Sequence, residues 1–245
     1  MNRRGVLLAI AACAIGASAL LVAARGDPGP ALAADWSAWE PGTTQMVEGA
    51  QEIADHVGPR YKLDGGEQLV SIRGTSLELG GEPIGVAVRP SGKDLVFLEG
   101  DGLLYVLGGL GPDGRLPTGT ASTERGRLLL REALELALYS FRYLDDVTMV
   151  AVLLPQTDEQ AGGTGGAGAA PRANALFYRP GDLLAELQVP LDRTLSPNTP
   201  RPSTMTTAEA LRVDSLTLRN LFLASVQPLE TDRDYLVLEE PDTDE

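Results

Sequence analysis

The hydrophobic pattern of the chain opens with an uninterrupted apolar run, Gly5 to Ala24, which contains no charged residue. Its twenty residues match the length that an α-helix needs to cross the hydrocarbon core of a bilayer. Arg3 and Arg4 precede the run, and the positive-inside rule therefore places residues 1–4 in the cytoplasm. The pattern predicts a single-pass transmembrane anchor, with the rest of the chain on the extracytoplasmic side.

Features in and after the same run also resemble export signals that are cleaved. Asn2 to Leu7 resembles a twin-arginine export signal, in which a polar residue and two arginines precede two apolar residues. Ala31 to Ala33 has the small-residue spacing of a cleavage site. Ile10 to Cys13 resembles a lipoprotein box, although cleavage there would split the apolar run. The alternative to an anchor is therefore a secreted protein cleaved near Ala33.

Beyond the run, apolar residues recur at helical spacing in a first amphipathic helix. Thr43 is a suitable N-cap for this helix, and Gly58-Pro59 is expected to end it with a left-handed glycine and a proline. His56, the only histidine of the chain, is expected in its last turn. The buried stripe is expected to contain Met46, Val47, Ala50, Ile53, Ala54 and Val57.

A second and longer amphipathic helix is predicted from Ser122 or Thr123, either of which can cap it, to the vicinity of Leu144. Arg127, Arg131 and Glu135 are expected on its solvent side as neighbours at i,i+4 spacing. The buried stripe is expected to contain Leu130, Leu134, Ala137, Leu138 and Phe141.

Short aliphatic runs separated by glycine predict strands between the two helices. Val86 and Val88 are expected to face Val96 and Leu98 across one of the turns. The five runs are Gln68–Arg73, Ser76–Leu79, Ile84–Arg89, Asp94–Leu98 and Leu103–Leu107. Successive short strands with tight turns favour an antiparallel meander.

The second half of the chain adds strands to this sheet. Val147–Leu154 is apolar almost throughout, which indicates a central strand covered on both faces. Leu221–Gln227 and Tyr235–Glu239 alternate apolar and polar residues and predict a C-terminal hairpin, although residues 208–224 also allow a single helix. The predicted fold class is α+β: a mainly antiparallel sheet packed by two amphipathic helices.

Several segments have no apolar period and are read as connections. Residues 25–35 predict a tether, and residues 36–240 a single extracytoplasmic domain in which Trp36 and Trp39 either dock or lie at the membrane interface. Glycine and proline predict flexible insertions at 157–173 and 196–205, and residues 241–245 predict an acidic tail.

Charge and cysteine content restrict the function further. The net charge is −14, and every acidic residue lies at Asp27 or later, so the part after the apolar run is the acidic part. Such a surface repels phosphate backbones, which argues against nucleic-acid binding. Cys13 is the only cysteine and lies in the apolar run. A disulfide, a cysteine nucleophile and a cysteine-ligated metal are therefore not available to the domain.

The sequence contains partial matches to nucleotide-binding, catalytic and calcium-binding motifs, but none of them has the surroundings that such a site needs. Residues 163–168 match G-x-G-x-x-G, but no strand directly precedes them and no helical pattern follows, so they are read as linker. A catalytic triad would have to use His56. Asp145-Asp146 and Asp242 to Asp244 lack the spacing or the setting of a calcium loop. We therefore predict no catalytic, cofactor-binding or metal-ligating residue and no cofactor.

These observations predict a non-enzymatic binding or scaffolding domain of the cell envelope. Its partners would be the bilayer, through the apolar run, and another envelope component. The alternative is an exported hydrolase that works through a pair of carboxylates, whose separation a sequence does not show.

Overall fold

An eight-stranded mixed sheet with helices on one of its faces organises the fold, which confirms the predicted α+β class. The computed structural model describes residues 35–90, 94–110, 122–155, 172–229 and 233–241. All of them fall within one unit, Ala33–Glu245. The predicted anchor, the segment 157–171 and the turn of the C-terminal hairpin lie outside the described residues.

The helices are α1 (Met46–Val57), α2 (Thr123–Tyr143), the short α3 (Leu184–Leu187) and α4 (Thr207–Thr217). Single 3₁₀ turns occupy Gly58–Arg60, Pro180–Leu183, Leu191–Arg193, Pro202–Thr204 and Leu218–Asn220. The strands are β1 (Ser71–Ser76), β2 (Glu78–Leu79), β3 (Glu82–Pro83), β4 (Gly85–Arg89), β5 (Val96–Leu98), β6 (Gly102–Gly108), β7 (Met149–Leu153), β8 (Ala173–Tyr178), β9 (Leu221–Leu229) and β10 (Arg233–Glu239). None of the described helices is both long and apolar enough to span a membrane.

The strand order corrects the predicted meander. The order in the large sheet is β1-β6-β7-β8-β9-β10-β4-β5, and only β2 and β3 form a small sheet of their own. β6 runs parallel to β7, and β10 runs parallel to β4. Local alternation shows that a strand has two faces but not which strand lies beside it. Neighbours in sequence such as β5 and β6 are therefore not neighbours in the sheet.

Other strand predictions are confirmed. β7 lies between β6 and β8, and four of its five residues are buried, as expected of a central strand. Val86 is paired with Leu98 and Val88 with Val96. β9 and β10 form the predicted antiparallel hairpin. The ambiguous segment 208–227 divides between both readings, since α4 ends at Thr217 and β9 begins at Leu221.

The strand order also requires the sheet to roll up. β6 is second and β5 is eighth, so a flat sheet would hold them about 29 Å apart at roughly 4.8 Å per strand. Only residues 99–101 connect them, and such a connection spans at most about 14 Å. Leu77 joins the same two regions, because its N–H donates to the Gly102 carbonyl (3.1 Å) and its carbonyl accepts from the Ile84 N–H (2.9 Å). The sheet is therefore an open barrel.

The barrel separates two apolar cores. The outer core lies between the helices and the strands β6, β7 and β8. Alternate residues of these strands belong to it, such as Leu103, Val150 and Leu176. The residues between these face the barrel interior. The buried members of the interior core all lie on strands or directly before one, and they are Ile84, Val86, Leu104, Met149, Ala151, Ala175, Phe177, Ala224, Leu236 and Leu238.

Two helix boundaries differ from those predicted. α1 begins at Met46 rather than after Thr43, and its N-cap Gln45 makes no side-chain cap. Gly58 is right-handed, at φ −53°, so the chain continues from α1 into a 3₁₀ turn instead of stopping. The start of α2 is as predicted, because the Ser122 side chain accepts a hydrogen bond from the Arg125 N–H.

Close packing at the start of β6 gives a stability prediction. A Cβ at Gly102 would lie 2.4 Å from Met149 Cγ and 2.5 Å from Leu77 Cδ1. We expect Gly102→Ala to lower the free energy of unfolding by about 1–3 kcal/mol, measured by urea unfolding of the 33–245 unit. Gly126→Ala in α2 is the matched control, since nothing lies within 4 Å of its Cβ. It should raise stability by about 0.5–1 kcal/mol, and equal losses in both variants would contradict the packing argument.

Candidate functional site

A cluster of charged side chains on α2 is buried, contrary to the sequence-based expectation. Arg131 and Glu135 were predicted on the solvent side, but they are 0 % and 1 % exposed. Glu132 is also fully buried. The second face of α2 is covered because α4 and the segment before it pack against it. The elements that cover it are distant in sequence, and no local pattern indicates them.

Glu135 receives hydrogen bonds on both of its carboxylate oxygens. Arg60 Nη1 donates to Oε1 at 2.9 Å, and the Tyr61 hydroxyl donates to Oε2 at 2.5 Å. Arg131 Nη1 also donates to Oε2 at 3.1 Å, and it donates to the Tyr61 hydroxyl oxygen. Burial, and then the negative charge of Glu135, raises the pKa of Tyr61 well above its usual value. The phenol therefore stays protonated and acts as a donor.

Arg131 connects this cluster to the C-terminal half of the chain. Its Nε donates to Glu209 Oε1 at 2.7 Å, and its Nη2 donates to the Ser196 carbonyl at 2.7 Å. The same Glu209 oxygen accepts from the Ser196 N–H at 3.2 Å. A hydrogen bond from Arg201 Nη1 to the Leu63 carbonyl at 3.0 Å adds a further connection. The segment 196–205, predicted from its composition to be a flexible insertion, thus makes specific contacts with α2 and with the turn after α1.

Glu132 is the unusual member of the cluster. Neither of its carboxyl oxygens has a hydrogen-bond partner. Burial, and then the nearby charge of Glu135, raises its pKa well above the usual value. Arg60 and Arg131 already balance the charges of Glu135 and Glu209. A protonated, neutral Glu132 is therefore the form that the folded protein accommodates.

His56 belongs to an aromatic cluster beside these charges. Its ring stacks on Trp39 at 3.9 Å between centroids and 3° between planes, and it meets Tyr139 edge-on at 5.8 Å. Arg60 Nη1 lies 3.3 Å from His56 Nε2. Because a guanidinium only donates, Nε2 accepts, and burial followed by Arg60 lowers the pKa of His56. The imidazole is therefore held neutral as part of the packing.

Both tryptophans of the chain dock into the domain. Trp36 is 1 % exposed, its indole N–H donates to the Glu186 carbonyl at 3.1 Å, and its own carbonyl accepts from the Leu191 N–H. Trp39 lies against His56 and Tyr139. Of the two expectations for these residues, docking into the domain is the one that the structure supports.

A cavity of about 320 Å³ lies at the seam where the two ends of the barrel meet. One part of its lining is apolar and includes residues of the interior core, such as Val86 and Met149. Arg233, Glu99 and Tyr235 are the lining residues that have polar side chains. The full lining comprises Leu77, Ile84, Gly85, Val86, Phe97, Leu98, Glu99, Gly100, Met149, Arg233 and Tyr235. The cavity volume lies at the small end of the range typical of ligand sites.

The rim of this cavity carries an exposed aromatic pair. Phe97 is 54 % exposed on β5 and meets Tyr235 edge-on at 5.1 Å. The Tyr235 ring lies over Gly85 in the neighbouring strand, where a Cβ would come within 2.4 Å of the ring. Gly85 therefore leaves room for the ring that forms one wall. We call this cavity, with its lining residues and the aromatic pair at its rim, the barrel mouth.

The other features singled out in the sequence do not come together as a site. The Asp145 carboxylate accepts from the Thr44 hydroxyl at 2.6 Å, and Asp146 adopts φ 60° in the turn into β7. The G-x-G-x-x-G match at 163–168 and Asp242 to Asp244 lie outside the described residues. Within the described ranges, no group of three or more histidine, cysteine or acidic side chains is placed to hold a metal ion.

Comparison of the chain with models of protein families, with curated proteins and with solved structures found no match. The geometry of the described residues therefore carries the functional argument.

Proposed function

We propose that the chain is a non-enzymatic binding module of the cell envelope, which binds its ligand at the barrel mouth. Phe97 supports this proposal most directly, because a large aromatic side chain is half exposed at the edge of a cavity that reaches the interior core. Ligand sites combine such apolar walls with a few polar groups that fix orientation. Arg233 and Glu99 are groups of that kind.

The apolar run at 5–24 supports the location. An anchor of this length, preceded by two arginines, would hold the module at the outer face of the membrane, with the bilayer as its first partner. A cleaved signal that ends near Ala33 would release the same module. In either case Trp36 and Trp39 dock into the domain within a few residues of that point.

A hydrolase that uses carboxylates is the alternative, and burial argues against it. Glu132 and Glu135 lie close together and the pKa of Glu132 is raised, as in many catalytic pairs. A general acid must lie within hydrogen-bond reach of the substrate. The two carboxyl groups are 0 % and 1 % exposed beneath Arg60, Tyr61 and Arg131. The hydrogen bonds of Glu135 join α2 to Arg60 and Tyr61, and the binding function fits the geometry better.

The binding function is tested by ligand-observed NMR with a library of small fragments and the 33–245 unit. We expect fragments to bind the wild type and to lose binding in Leu98→Trp, because the larger ring would fill the barrel mouth. Leu211→Trp is the matched control, since Leu211 is 65 % exposed on α4 and does not line the cavity. Fragment binding that survives Leu98→Trp, or an absence of binding to the wild type, would contradict the proposal.

The mature N-terminus, determined by mass spectrometry, separates the topologies, because a chain that begins at Ala34 excludes the anchor.

A further inference from the structure

Two opposite charges line the barrel mouth without neutralising each other. Arg233 and Glu99 both contribute to its wall, and both are exposed to solvent. No ion pair joins them, and neither one forms an ion pair with another of the described residues. Arg233 is nevertheless held in place, because its Nη2 donates to the Ile84 carbonyl at 3.3 Å. The site thus presents one cation and one anion beside an apolar wall.

We propose that the barrel mouth binds a small zwitterion with an apolar substituent, of which an apolar α-amino acid is the simplest example. This inference rests on the proposed binding function and names its ligand class. The ligand carboxylate would pair with the Arg233 guanidinium, whose planar donors match a carboxylate. The ligand ammonium would pair with the Glu99 carboxylate. The apolar side chain would contact Leu77, Val86 and Met149, which lie on the inner wall.

The cavity volume limits the size of this ligand. About 320 Å³ corresponds to roughly ten water molecules at about 30 Å³ each. That space accommodates a single amino acid with an aliphatic or aromatic side chain. A diacyl lipid is much larger. The volume therefore favours a free metabolite over a membrane lipid.

Two other ligand classes, a simple monoanion and an extended peptide, fit the barrel mouth less well. A simple monoanion would meet Glu99 as well as Arg233, so part of its attraction would be cancelled. An extended peptide would have to pair with the free edge of β5, which is three residues long. Proteins shorten edge strands in this way to prevent such pairing. A zwitterion uses both charges.

The test is isothermal titration calorimetry of the full chain in lipid nanodiscs, with empty nanodiscs subtracted. Leucine and phenylalanine are expected to bind, and glycine, which lacks the apolar group, is expected to bind much more weakly. Leucinamide lacks the carboxylate and N-acetyl-leucine lacks the ammonium. Each should bind about tenfold more weakly than leucine, because a hydrogen bond to a charged group contributes about that much.

Two variants assign the charges to their partners. Arg233→Gln should weaken the binding of leucine about tenfold and leave the affinity for leucinamide unchanged. Glu99→Gln should also weaken the binding of leucine, but it should leave the affinity for N-acetyl-leucine unchanged. Arg212→Gln and Glu40→Gln are matched controls, since both residues are exposed and neither lines the cavity. Leucine affinity that is unchanged in Arg233→Gln and Glu99→Gln would overturn the ligand class.

The outcomes separate this inference from the proposed function. If fragments bind at the barrel mouth but no apolar amino acid does, the proposed ligand class is wrong and the proposed binding function is retained. If neither fragments nor amino acids bind there, both proposals are wrong. Binding of leucine that Leu98→Trp abolishes and Leu211→Trp retains supports both.

Discussion

Arg131→Met is expected to lower the free energy of unfolding of the 33–245 unit by about 3–5 kcal/mol, the cost of breaking a buried ion pair from one side. Met preserves most of the side-chain volume and removes the charge. Glu135 would then keep only its ion pair with Arg60, Glu209 would lose its ion pair with Arg131, and the Ser196 carbonyl would lose the hydrogen bond from Arg131. Because Arg131 is fully buried, little water can replace these bonds.

The matched control for this variant lies four residues earlier on the same helix. Arg127 pairs with Asp214 of α4 at 2.9 Å, but its side chain is 32 % exposed. Arg127→Met should therefore cost only a small fraction of the loss caused by Arg131→Met. Urea unfolding followed by circular dichroism at pH 7 measures both variants. Similar losses in the two would show that the buried network contributes no more than an ordinary surface ion pair.

Glu132→Leu is expected to raise the free energy of unfolding, by about 1–3 kcal/mol at pH 7, because it removes a buried carboxyl group that lacks a hydrogen-bond partner. Glu132→Gln removes the ionisation but retains a buried polar group, so its gain should be smaller. Urea unfolding of the three proteins at pH 7 gives the comparison. A clear loss of stability in Glu132→Leu would show that the carboxyl group makes a favourable contact.

The same residue predicts how stability depends on pH. The folded-state pKa of Glu132 is raised, so between the ordinary value of 4.5 and the folded value the native state binds more protons than the unfolded state. Stability therefore decreases as pH rises through this window, by at most about 1.4 kcal/mol per pH unit. Both substitutions at Glu132 should remove this decrease. Parallel pH profiles above pH 4.5 for wild type and variants would contradict the assignment.

Features that depend on nearby residues could be predicted from the sequence. The Ser122 cap, the apolar strand β7 and the hairpin of β9 and β10 are all encoded within short segments. The predicted N-cap of α1 lies two residues before the observed one, because Thr43 satisfies the chemistry of a cap without occupying that position. Its hydroxyl accepts from the Gln45 N–H, ahead of the helix.

The candidate site could not be predicted, because distant elements create it. Arg131 and Glu135 have the i,i+4 spacing of a solvent-exposed pair, and only the packing of α4, with Glu209 78 residues away, buries them. The barrel mouth likewise combines Phe97 and Glu99 with Arg233 and Tyr235, which lie on separate segments of the chain. The sequence signal at these positions is a polar surface. The three-residue connection between β5 and β6 is the one local clue, and it becomes informative only with the strand order.

The position of β10 has a consequence for the order of events during synthesis. β10 follows every other described strand along the chain, yet it lies between β9 and β4. The hairpin of β4 and β5, made well over a hundred residues earlier, has no other neighbour in the sheet. Until β10 has been made, β4 therefore keeps an unpaired edge, which can pair with a wrong strand. The sheet can therefore be completed only after β10 has been synthesised, which makes β10 the strand that closes the barrel.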